Sequence, residues 1–320
     1  MVISTSPMKL HHRTRSHFLI PVLAATLTLS VTAVAAPLKE TVFFKGPPST
    51  ETIEKWNRKS GTRSYRFSLE DPASLELETL ANLKRFDSLE IGVSQFPMPA
   101  EAAAWKKLAA RGAQLNLLVG YLPSPEALQF IDSLGFQKLL FVITSPPDPS
   151  LASRLSGLKS KATITYATRA YPRYMDRESW DGIPAEIPLT ISTDYWPFYT
   201  QMDMLNLMKM QQNLRVKDMF PPEDSFPYLL NLKKLQNLVV DTESDPSDSS
   251  IWKKFGNLKL RWNRRGPVPG KEALQAFVES APAQSGLRSL TLDTDVDLMP
   301  SDRTRLEQLP VEVQWLHEEF

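Results

Sequence analysis

Cysteine is absent from the 320 residues. That removes disulfides, thiolate zinc sites, iron-sulfur clusters, thiol nucleophiles and cysteine-linked lipids together. Histidine is nearly absent too, for three of the four (His11, His12 and His17) precede residue 36 and only His317 lies beyond it. A histidine-rich metal centre cannot be assembled from one imidazole, and a Ser-His-Asp triad would need a histidine three residues from the end of the sequence. There is no glycine-rich loop to cradle phosphate and no Asn-x-Ser/Thr sequon. Neither charge dominates, with 37 basic against 36 acidic side chains, so non-specific nucleic-acid binding is not expected.

Hydrophobic residues make up 42% of the chain and charged residues 23%, enough to bury a sizeable core. The one long apolar run is N-terminal. Lys9, Arg13 and Arg15 precede an uncharged stretch from Phe18 to Ala36 that closes on Ala33-Val34-Ala35, the small-x-small pattern of a signal-peptidase site. Residues 1–35 therefore read as an export signal and residues 36–320 as the mature chain, with 34 basic against 36 acidic side chains. An exported chain with neither cysteine nor sequon suits the bacterial envelope, periplasmic or secreted. Membrane association is expected only if the segment stays uncleaved.

Along residues 36–320 short β-type segments recur twelve times. Their central apolar residues, among them Phe67, Ile91, Leu117, Phe141, Ile164, Ile191, Val216, Val240, Leu260, Leu292 and Val313, lie 20 to 32 residues apart, about 25 on average. Proline follows the strands almost every time, as at Pro99, Pro125 and Pro149, where a fixed φ and a missing N–H suit a first helical turn. Ser124-Pro125-Glu126 then leads through Leu128, Ile131 and Leu134 to Gly135, an amphipathic helix with a glycine stop. Each period holds a strand, a proline turn, a helix and a return loop, giving 11 to 12 units in one continuous domain.

Phe255-x-x-Leu258-x-Leu260-x-x-Asn263 has the core spacing of a leucine-rich repeat, and Leu80-x-x-Leu83-x-x-Phe86-x-x-Leu89-x-Ile91 and Leu232-x-x-Leu235-x-x-Leu238-x-Val240 have its apolar part. Over roughly residues 40 to 315 the chain resembles a degenerate leucine-rich repeat protein, although Glu70, Ser94, Gly120 and Thr144 occupy the asparagine slot elsewhere. The resemblance implies an α/β class and an open, curved solenoid, a horseshoe with a parallel sheet on the concave face and helices on the convex face.

In such a solenoid the residues flanking each central apolar position share the concave face. Leu118, Leu140 and Val142 make it apolar, Thr163, Thr165, Thr190 and Ser192 make it hydroxylated, and Arg215, Lys217, Lys259 and Arg261 make it basic, with Asp241 and Asp293 interspersed. The basic group would select an acidic ligand and the apolar group would supply contact area. The cluster Tyr195-Trp196-Pro197-Phe198-Tyr199, between a strand and its helix, offers aromatic anchors. Asp293-x-Asp295-x-Asp297 begins like a calcium loop, but Leu298 and Thr304 stand where glycine and glutamate are required. No metal and no cofactor are expected, and the acidic segment at Asp241, Glu243, Asp245 and Asp248 reads as a solvated turn. The expected function is a non-enzymatic recognition scaffold for a protein or peptide partner on the concave face. The alternative is a carboxylate-dependent glycoside hydrolase or carbohydrate-binding protein using the aromatic edge near Trp196.

Overall fold

The computed structural model describes residues 38–168, 170–217, 220, 226–243, 245, 259–270, 272–274, 287–293, 298–309 and 311–318. The expected signal segment, Asp248, Asp295, Asp297, Leu258 and the side chains of Lys259 and Leu260 lie outside them. The described residues form twelve strands: β1 (Lys39–Lys45), β2 (Ser64–Leu69), β3 (Ser88–Val93), β4 (Gln114–Gly120), β5 (Lys138–Ile143), β6 (Lys161–Ala167), β7 (Leu189–Thr193), β8 (Gln212–Lys217), β9 (Leu235–Thr242), β10 (Lys259–Arg265), β11 (Leu287–Asp293) and β12 (Glu312–Glu318). The helices between them are α1 (Thr50–Arg58), α2 (Ser74–Ala81), α3 (Ala102–Ala110), α4 (Pro125–Ser133), α5 (Pro149–Ala152), α6 (Arg177–Asp181), α7 (Tyr199–Leu207), α8 (Phe226–Leu230) and α9 (Pro300–Glu307). Proline opens α4, α5 and α9, as the turn pattern requires.

The sheet is not an open horseshoe. All twelve strands pair in parallel in chain order, and β12 pairs β1, so the sheet is a closed barrel. Stagger is the physical reason. Val42 pairs Tyr65 and Tyr65 pairs Leu89; carried around all twelve strands, the register returns to β1 twelve residues nearer its N-terminus. Each strand thus slips by one residue against the next, the ratio found in eight-stranded α/β barrels, which tilts the strands by about 36° and bends the sheet onto itself. Twelve strands at that tilt enclose a backbone radius of roughly 11 Å, against roughly 8 Å for eight.

The core is an annulus between the barrel wall and the helices. Outward-facing Phe67, Ile91, Leu117, Phe141, Ile164 and Val216 are at most 1% exposed, and they pack beneath Leu80, Trp105, Leu108, Ile131 and Trp180 of the helices, also at most 1% exposed. Neighbouring units are tied by a polar ladder at the helix ends rather than by a repeated asparagine after the strand. Asn57, Asp132 and Asn206 accept the backbone N–H groups of Lys84, Lys159 and Lys233 at 2.7, 2.9 and 3.0 Å, each 27 residues further along. In the slot where a leucine-rich repeat keeps asparagine, Ser94 donates its hydroxyl to the Glu70 carbonyl at 2.8 Å. Close approach matters at Gly182, where a Cβ would lie 2.7 Å from the Cα of Pro149, which begins α5.

Candidate functional site: the barrel lumen

Closure turns the expected concave face into the inside of the barrel. Residues alternating with the annular core point inward, and fourteen of them, including Arg66, Leu140, Thr165, Thr190, Arg215, Asp241, Arg261, Arg265 and Asp293, line a cavity of about 350 Å³. Side chains fill an eight-stranded barrel; the wider twelve-stranded one leaves room for solvent, so its inner residues are free to be polar.

The basic sector lies on β8 to β10. Asp241 anchors it: the carboxylate is 1% exposed, accepts from Arg215 Nε at 2.5 Å through Oδ2 and from Asn263 Nδ2 at 2.6 Å through Oδ1, and has Arg265 Nη2 at 3.9 Å. The guanidinium groups remain open to the lumen, with the Arg215 and Arg265 side chains 43% and 38% exposed. A guanidinium has five N–H donors, so one bond from Nε leaves the outer fork of Arg215 available to a ligand. Arg261 is exposed and makes no ion pair. Across the barrel Arg66 Nε donates to Glu90 at 2.8 Å. Lys217 is half-buried and without an ion pair, and it is the register partner of Asp241.

The remaining sectors follow the sequence order. Thr163, Thr165 and Thr190 are half-buried and Ser192 is 7% exposed; Asn213 joins them to β9, donating to Thr190 Oγ1 at 3.4 Å and accepting from Asn237 at 2.6 Å. Leu118 is 44% exposed, and Leu140 and Val142 are half-buried, on the wall formed by β4 and β5. Curvature does not bury this apolar sector; it faces the lumen.

The aromatic edge divides. Trp196 is 5% exposed and belongs to the core, while Phe198 and Tyr199 are 67% and 66% exposed at the C-terminal end of the barrel strands. Tyr195 is half-buried, 6.2 Å from the Phe198 ring, and its carbonyl accepts the Tyr171 hydroxyl at 2.8 Å. Burial pushes the Tyr171 phenol up, which keeps it a donor. The acidic segment is not a solvated turn in the described residues: Asp241 is the anchor above, and Asp245 accepts from Arg264 Nε at 3.1 Å and from the Gly270 N–H at 3.0 Å. Among the described residues no cluster of three acidic or histidine side chains could hold a metal ion. His317 meets Glu40 at 2.9 Å across the β12–β1 seam, and Glu40 is also paired with Arg63 at 2.8 Å.

Sequence reasoning placed Glu90 on the inner face but overlooked Arg66, Asn263 and Arg265 there. Their inward alternation was legible in each strand, but only closure brings β2 and β10 around one cavity.

Fold and cavity together define a class: an α/β barrel of twelve parallel strands with an arginine-bearing cavity in its lumen. No protein-family model matches the chain, and no curated protein or solved structure is significantly similar to it.

Proposed function

We propose that this protein is a non-catalytic binding protein whose lumen holds a small anionic molecule. The observation that carries the reading is the arrangement around Asp241, a buried carboxylate that fixes Arg215 against the wall while leaving its guanidinium fork, and the unpaired Arg261, open to the cavity. Fixed guanidinium groups at the edge of a restricted volume favour carboxylate, sulfonate or phosphate groups, because their geometry is set before the ligand arrives. Two carboxylates of the lumen wall, Asp241 and Glu90, are engaged by arginine, an arrangement suited to holding charge rather than moving protons. The apolar wall at Leu118, Leu140 and Val142 supports a ligand with an apolar body beside its anionic head. A folded protein partner does not fit a cavity of about 350 Å³, so the recognition expected on an open face becomes recognition of a small molecule.

The reading includes export, supported by the N-terminal sequence pattern. N-terminal sequencing of the protein from its native host tests it, with Ala36 expected first and retention of Met1 in a membrane fraction as the opposing result.

Thermal unfolding against a panel of organic anions, cations and neutral sugars tests the binding function. An anion at a hundredfold its Kd is expected to stabilise by about 2.7 kcal/mol, and the effect should vanish in Arg215→Gln/Arg261→Gln. Stabilisation by a sugar, retained in that variant, would favour carbohydrate binding instead.

A further inference from the structure

We infer that the anion reaches the lumen from the N-terminal end of the strands, where Lys138 and Lys161 form a capture site ahead of Arg261. This rests on the reading of the lumen as an anion-binding cavity. Lys138 opens β5 and Lys161 opens β6, and the two are direct register partners, each on the same face as cavity residues of its own strand, Leu140 and Thr165. Both are exposed and neither has an acidic partner. Like charges placed directly opposite on neighbouring parallel strands repel, and the nearest relief is an anion between them. Lys39, at the same end, is by contrast neutralised by Glu312 at 2.8 Å.

Deeper along the same direction stands Arg261, exposed and unpaired on β10, followed by Arg215 and Arg66 nearer the middle of the wall. A ligand moving inward from that mouth therefore meets unpaired cations first and partly paired ones later. The opposite mouth has another character. Where β1 and β2 end, Glu70, Asp71 and Glu76 surround a single lysine, Lys45, and elsewhere that rim carries exposed Tyr121, Phe198 and Tyr199. Lys217 and Arg265 also end β8 and β10 at that mouth, but both lie beside the Asp241 carboxylate, whereas Lys138 and Lys161 have no acidic partner, so the pull on an approaching anion is stronger at the N-terminal end.

The test uses the full chain and the fluorescent amphiphilic anion 8-anilinonaphthalene-1-sulfonate, with association and dissociation followed by stopped flow at several salt concentrations. Lys138→Gln/Lys161→Gln is expected to slow association about tenfold at low salt, to leave dissociation unchanged, and to lose its difference from the parent at high salt. Glu70→Gln/Asp71→Asn, at the other mouth, is expected to leave association unchanged. Arg215→Gln/Arg261→Gln is expected to speed dissociation. If the arginine variant releases the probe faster while the lysine variant associates like the parent, or if the variant at the other mouth sets the rate, the proposed route is overturned and the lumen site stands. If the parent shows no saturable binding, or the arginine variant binds like the parent, the lumen reading itself fails. Relief of the lysine repulsion should leave the melting temperature of the lysine variant unchanged or higher, so lost association cannot be assigned to unfolding.

Discussion

Leu140 and Phe141 are neighbours on β5, yet they stand in two different solvents. Phe141 faces the annulus and is 0% exposed; Leu140 faces the lumen and lines its cavity. The same contrast runs around the barrel, with a buried apolar layer outside the wall and a cavity lined by charged, hydroxylated and apolar side chains inside it. The lesson is a division of labour within each strand: one set of alternate residues holds the fold, and the other set is free to carry a site.

The contrast breaks first at the core. Phe141→Ala should cost about 3 to 5 kcal/mol, since it empties a close-packed region, whereas Leu140→Ala should cost about 1 kcal/mol because its side chain already meets water. Chemical denaturation of the pair checks this, and equal losses would mean that the lumen is as dry as the annulus. Gly182→Ala is expected to cost about 1 to 3 kcal/mol, because the added Cβ would meet Pro149 Cα at 2.7 Å and helices α5 and α6 would have to separate. Arg261→Gln should leave stability within about 0.5 kcal/mol, since the side chain is exposed and unpaired.

The smallest expected effect concerns pH at the seam. Burial alone would raise the Glu40 carboxyl, but the hydrogen bond with His317 and the charge of Arg63 outweigh it and hold the group below its ordinary value of 4.5. A carboxyl lowered by folding adds stability above its unfolded pKa and loses it as pH falls through the lowered folded value. The parent should therefore lose stability below about pH 4.5 relative to Glu40→Gln, and parallel acid-unfolding curves for the two would remove Glu40 from the seam.

Much of the fold was legible in sequence. All twelve strand segments were marked as short β-type runs around a central apolar residue, such as Phe67, Phe141 and Val216, that proves to be buried. Closure was not legible. A period of about 25 residues fixes the unit but not how far each strand slips against its neighbour, and that slip of one residue per strand separates a barrel from a horseshoe. Of the residues read onto the expected concave face, Arg215, Arg261 and Leu140 are among those that line the cavity, but which sectors face each other was not legible, so Arg66 and Arg265 were missed. Trp196 was legible only as an aromatic in a loop, and its burial follows from packing that no local pattern encodes.

Closure is the central claim, and the absence of cysteine makes it directly testable. Thr41 on β1 and Leu316 on β12 are register partners across the seam. Installed together as Thr41→Cys and Leu316→Cys, they would be the only thiols in the chain. Under mild oxidation a closed barrel predicts rapid, concentration-independent formation of one intramolecular disulfide, read as a gel shift reversed by reductant and a loss of two hydrogens by mass spectrometry. In an open array the first and last strands lie tens of ångströms apart, so thiols that remain free, or that join only between molecules, would contradict the barrel.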